Sequence, residues 1–164
     1  MTIRNGWKWV GKALLVAGIT AIIGCGQSGP EGSLSLVPVK GRVMVGQAPL
    51  ADAQVAFHID GQAPEGYVGS GAKTDQNGYF ELTVGPRKGA VPGKYKVTVS
   101  KLAQPDGSPL PAGSAGGMDV MQLRMQGKVV ETIPATFSQL PYTQLTNYEV
   151  PASSGGNFEI TIPQ

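Results

Sequence analysis

Beyond residue 36, apolar and polar positions alternate with a period of two. Val37, Val39, Val43 and Val45 share one face, and Lys40 and Arg42 fall on the other. Val55, Phe57 and Ile59 alternate with Gln54, Ala56 and His58. Phe80, Leu82 and Val84 alternate with Tyr79, Glu81 and Thr83. Tyr95, Val97 and Val99 alternate with Lys94, Lys96, Thr98 and Ser100, and Phe158, Ile160 and Ile162 with Asn157, Glu159 and Thr161. This is the pattern of strands with one buried face. Two weaker runs, at residues 66–72 and 143–150, bring the expected strands to seven. Gly46-Gln47-Ala48-Pro49, Asp75-Gln76-Asn77-Gly78, Pro92-Gly93 and Ser154-Gly155-Gly156 supply turn chemistry between them. One-sided apolar strands separated by turns predict an all-β chain of two sheets packed face to face, with Phe80 and Val97 inward on neighbouring strands.

One stretch breaks the alternation. Residues 103–117 read AQPDGSPLPAGSAGG, a long loop, and residues 118–126 follow with Met118, Met121 and Met125 at helical spacing. The same segment also alternates through Met121, Leu123 and Met125; Gly117 and Gly127 on either side favour one short helix. Composition agrees with a turn-rich β protein. Gly and Pro number 24 and 13 of 164 residues, but only 15% of residues are charged and 41% are hydrophobic, so charge does not hold the chain open. A single Cys excludes a disulfide framework, and one His with one Cys argues against a His/Cys zinc site.

The net charge of +2 is concentrated at the N-terminus. Arg4, Lys8 and Lys12 precede an apolar run from residue 13 to 24, broken only by Thr20. That is the layout of a secretory signal, and the run is too short to span a bilayer. Without residues 1–24, ten basic residues face eleven acidic ones, a net charge of −1. No basic excess remains for nucleic acid, which is dropped as a partner. Ile22-Ile23-Gly24-Cys25 resembles the lipobox of bacterial lipoproteins. A thiol accepts the diacylglyceryl group, and a small residue before it admits the signal peptidase. The resemblance implies that Cys25 is lipidated and becomes the first mature residue, and that the membrane is a partner through two or more acyl chains, enough for firm anchoring. Gly26 and Gln27 follow the Cys, with no Asp. In such lipoproteins this implies the outer membrane or cell surface. Residues 25–35, rich in Gly and Ser, read as a flexible tether reaching roughly 17 Å, and residues 36–164 as the β domain.

The domain also resembles a known family. Val39-Lys40-Gly41-Arg42-Val43 with Gly46-Gln47-Ala48-Pro49-Leu50, Ala53 and Val55 is similar to the opening of carboxypeptidase-regulatory-like and transthyretin-like domains. Thr74-Asp75-Gln76-Asn77-Gly78-Tyr79-Phe80 matches their hairpin, and Pro92-Gly93-Lys94-Tyr95-Lys96-Val97-Thr98-Val99 a later strand. Ile133-Pro134-Ala135-Thr136-Phe137, Leu145 and Gly156-Asn157-Phe158-Glu159-Ile160 resemble the close of small bacterial transthyretin-like lipoproteins, with Phe137 where those carry Tyr and with the Met-rich insert as a second departure. The resemblance implies a seven-stranded Greek-key sandwich with one short helix in a long loop. It implies no activity, since the fold hosts many.

Candidate chemistry is sparse. His58 and Asp60 share the polar face of one strand, yet no Ser in a tight elbow follows. Transthyretin-like hydrolases use several His and a C-terminal Tyr-Arg-Gly-Ser run, whereas this chain has one His and ends Ile-Thr-Ile-Pro-Gln. Asp52 with Asp60, and Glu149 with Glu159, are the carboxylate pairs that folding can still bring together. Asp75 and Asn77 fit a tight turn better than a calcium loop, because the terminal Glu of such a loop is missing. Met118, Met121 and Met125 suit Cu(I), but adaptable packing of a helix on the sandwich is the plainer role. Arg87, Lys88, Lys94, Lys96 and Lys101 suit an anionic lipid or glycan, but more simply keep strand faces solvated. Tyr67, Tyr79 and Tyr142 suit a sugar only if they form one platform. No catalytic residue, cofactor or metal is assigned. The expectation is a non-catalytic, lipid-anchored envelope protein with a structural or protein-interaction role; the alternative is a glycan- or small-ligand-binding module.

Overall fold

A computed structural model describes residues 34–110 and 118–164. The expected signal, Cys25, the tether up to residue 33 and residues 111–117 of the long loop lie outside the described residues. The strands are β1 (Val39–Val45), β2 (Ala48–Pro49), β3 (Gln54–Ile59), β4 (Ser70–Lys73), β5 (Tyr79–Glu81), β6 (Thr83–Val84), β7 (Arg87–Lys88), β8 (Gly93–Ser100), β9 (Leu102–Ala103), β10 (Val130–Glu131), β11 (Tyr148–Val150) and β12 (Gly156–Ile162). Two short helices, α1 (Met118–Met125) and α2 (Ala135–Ser138), interrupt them.

The fold is all-β and sandwich-like. In one sheet β1 is the centre: it pairs in parallel with β12 on one side and antiparallel with β2 and β5 on the other. The other sheet runs β11-β8-β3-β4-β6-β7, all antiparallel. β9 and β10 form a small separate pair.

The expected inward faces hold where alternation is strong, and the apolar runs are divided into shorter strand segments. The apolar run through Phe80 and Val84 is divided at Leu82, whose N–H donates to Val39 O at 2.9 Å while its carbonyl accepts from Gly89 N at 2.7 Å. The chain thereby passes from one sheet to the other, so Phe80 and Val97 are both inward but on opposite sheets, not on neighbouring strands. Residues 66–72 are largely loop, because Gly66 and Gly69 take φ of 76° and 100°, and the strand begins only at Ser70. Residues 143–150 follow the edge of β8 without forming one strand. Leu145 O accepts from Val97 N at 2.8 Å, but Asn147 at φ 64° breaks the extended path before β11. Asn is one of the few residues that adopt this conformation readily.

α1 ends as its sequence predicts. Gly127 at φ 67° stops it, with Lys128 N bonded to Leu123 O and Gly127 N to Arg124 O. This is the Schellman closure, which needs a residue free of a Cβ penalty. α2 corrects the expectation of a single helix. Pro134, with φ −53° and no N–H to satisfy, opens a turn in which Phe137 N and Ser138 N both donate to its carbonyl. Four residues leave no helical period to read.

The core lies between the two large sheets. Val39, Val43, Ile160 and Ile162 meet Val55, Phe57, Tyr95, Val97 and Val99 across it, and Ile133, Phe137 and Leu145 join the same cluster. Phe57 is its hub: the rings of Tyr95 and Phe158 lie 5.6 Å away, Tyr148 6.1 Å and Phe80 6.2 Å, all tilted or edge-on. Gly41 makes this possible. A Cβ there would stand 2.5 Å from Phe80 Cζ and 2.4 Å from Phe158 O. The Phe80 ring therefore occupies the place of a β1 side chain, and a glycine inside a strand marks that close approach.

Candidate functional site

A cleft of mixed chemistry lies at the end of β3 and β8. His58, Ile59, Asp60 and Lys96 line one wall, and Leu140, Pro141 and Thr143 the other, around a cleft of about 400 Å³. Cross-strand pairing sets the first wall: His58 is opposite Lys96, and Asp60 N donates to Lys94 O. The second wall is held by Thr143, whose hydroxyl donates to Val97 O at 2.6 Å.

His58 Nε2 lies 2.9 Å from Thr98 Oγ1. Partial burial pushes the imidazole below its ordinary value, which keeps it neutral near pH 7. Asp60 is not its partner; its carboxylate pairs with Lys96 Nζ at 3.0 Å. His58 and Asp60 thus share the cleft, but the acid that would orient a general base is committed to a cation. Ile59, Leu140 and Pro141 give the cleft an apolar side, and Leu140 is 44% exposed. The arrangement suits a small ligand with one apolar face and a few hydrogen-bonding groups.

The other acidic groups are placed apart. Asp52 pairs with Lys73 at 2.8 Å, which holds its carboxyl below the usual range. It stands before β3, and Asp60 follows the other end of that strand, so the two do not meet. Glu149 faces Lys94 in one sheet and Glu159 faces Arg42 in the other. Glu81 lies between Lys88 at 2.8 Å and Lys40 at 3.6 Å. Glu131 accepts from Lys101 N at 2.8 Å and from the Ser100 hydroxyl. Asp75 Oδ1 accepts from Asn77 N and Tyr79 N, both at 2.8 Å, which is the turn-fixing role read from the sequence. Among the described residues no three His, Cys, Asp or Glu side chains gather in a metal-binding group.

The three tyrosines do not form one platform. Tyr67 turns to Ser70 Oγ at 2.8 Å, Tyr79 lies under the Arg42 guanidinium at 5.0 Å on the outside of the β1 sheet, and Tyr142 is 62% exposed next to the cleft wall. Met121 and Met125 are exposed, so these two do not pack the helix onto the sandwich as the sequence suggested. Arg87 donates to Leu34 O at 2.8 Å, and Lys94 is exposed opposite Glu149. The cleft wall at Leu140 and Pro141 carries no periodic signal, and sequence reasoning did not find it. Cys25 lies outside the described residues. No family model, curated protein or solved structure matches the chain.

Proposed function

We propose that the chain is a lipid-anchored, non-catalytic β-sandwich of the cell envelope, held at the outer membrane or cell surface, with a structural or protein-interaction role. The observation that carries this is the sole thiol, Cys25, at the end of an apolar run behind a basic N-terminus and directly ahead of a β domain. The seven-stranded Greek key of transthyretin-like domains is the arrangement we infer behind the shorter strand segments. Two sheets on one core and the Asp75–Gly78 hairpin support it. The non-catalytic role is supported by the carboxylates of Asp52, Asp60, Glu81 and Glu131, each tied to a cation or to backbone and hydroxyl donors.

The test is metabolic labelling with a palmitate analogue, followed by membrane fractionation. The native chain is expected to take up label and sediment with membranes. Cys25→Ala is expected to lose both. A Cys25→Ala chain with unchanged mature mass and unchanged fractionation overturns the reading.

A glycan or small ligand is the second reading, favoured by the cleft between Lys96 and Leu140. Binding to an envelope glycan array that is abolished in His58→Ala with the fold retained would replace the first reading by this one.

A further inference from the structure

The open edges of the two large sheets are unequal. β2 has two residues and contains Pro49; β5 has three and ends in Glu81; β7 has two residues, Arg87 and Lys88; β11 has three and runs into Pro151. These are short, charged or proline-stopped edges, the usual defences against strand addition. β12 has seven residues, GNFEITI, with one charge and no proline, and it pairs only with β1 among the described residues.

The ladder shows which groups of β12 are free. Gly156 N donates to Pro38 O at 3.0 Å, and Ile162 O accepts from Gly46 N at 2.8 Å. In a parallel ladder this places Gly156, Phe158, Ile160 and Ile162 toward β1. The N–H and C=O groups of Asn157, Glu159 and Thr161 therefore point away, and all three residues are exposed.

We propose that β12 is a docking edge for a second copy of this chain, paired antiparallel about Ile160. Only registers that join odd-numbered residues use the free groups. Centring on Glu159 sets it against Glu159 of the second copy, and directly opposed like charges destabilise a strand pair. Moving the centre to Phe158 runs the pair into Gly155, whose φ of 70° leaves the extended path and whose N–H is turned to Pro151 O. Centring on Ile160 sets Glu159 against Thr161 twice, giving four N–H···O bonds. On the inner face it sets Ile160 against Ile160 and Phe158 against Ile162, which are β-branched and aromatic pairs. The edge is complementary to itself in this register, and the two β1-centred sheets become one. The inference needs no lipid on Cys25 and stands or falls separately from the anchoring.

The charge pattern supplies the test. The full-length chain, extracted in mild non-ionic detergent, is expected to show a concentration-dependent dimer by sedimentation, with protein mass separated from bound detergent. Thr161→Glu faces Glu159 of the second copy in both pairs and weakens the dimer about tenfold; Thr161→Lys strengthens it by a similar factor. Glu159→Lys combined with Thr161→Glu again sets opposite charges against each other in both pairs, and strengthens the dimer as Thr161→Lys does. Circular dichroism and unfolding midpoints keep folding separate from association. Mixed chains carrying Glu159→Cys and Thr161→Cys are expected to cross-link to each other in preference to Glu159→Cys with itself. A native chain that stays monomeric, a dimer indifferent to all three charge variants, or cross-linking only between like positions overturns the proposal.

Discussion

The core has two ends built on different principles. Around Phe57, four other rings fill the space, and one glycine makes room for them. Further along the same strands, Val43, Val55, Val99, Ile160 and Ile162 fill it with branched aliphatic chains. Large rings concentrate the packing energy in a few positions, where a small change opens a large void. Aliphatic chains distribute it, and neighbours share the loss. The two ends therefore differ in how sharply a substitution is felt, although both belong to one core.

Phe57→Ala should break the comparison most visibly. Removing the hub ring costs about 3–5 kcal/mol, read as a lower urea midpoint at constant slope. Gly41→Ala comes next, at about 1–3 kcal/mol, because the new methyl meets both the Phe80 ring and the fixed carbonyl of Phe158. Phe80→Leu in the same chain should recover only part of that loss, since the carbonyl stays in place. At the aliphatic end, Ile160→Val should cost about 0.5–1.5 kcal/mol. A loss there equal to that of Phe57→Ala would remove the distinction between the ends.

The smallest effect belongs to the outer face. The His58 imidazole is depressed by partial burial, so the unfolded chain takes up its proton first as pH falls. Its contribution is present above about pH 6.5, the unfolded value, and is lost as pH falls below it. His58→Gln should flatten the stability profile below about pH 6.5 while leaving the neutral-pH midpoint nearly unchanged. An unaltered profile would mean that another group governs that range.

What could be read in advance follows the same division. Phe57, Val97, Val99 and Ile160 alternate with polar neighbours, and a period of two is visible in any window that contains it. The all-β class, the inward faces and the Asp75–Gly78 turn were legible for that reason. Leu82 gave no warning that it joins two sheets, because passing between them leaves the alternation intact. Asn147 and Pro134 interrupt or start elements through single-residue backbone preferences, too local to set a pattern. The cleft is the extreme case. Its wall at Leu140 and Pro141 is brought to His58 and Lys96 by Thr143, whose hydroxyl reaches a backbone carbonyl on β8. Nothing in the residue types announces that contact.

The parallel pairing of β1 with β12 also governs the order in which the molecule can be assembled. Val39 and Gly156 are neighbours in space, although most of the described chain lies between them. The β3–β4 and β6–β7 pairs close over short intervals and can form early. The ladder that completes the other sheet must wait for the last strand, and long-range pairings of this kind slow folding. A chain threaded N-terminus first through a membrane would emerge with β1 lacking its main neighbour until β12 had crossed. Shortening the C-terminus by a single strand would leave the first strand exposed along one side, a late-closing seam where misassembly and proteolysis would begin.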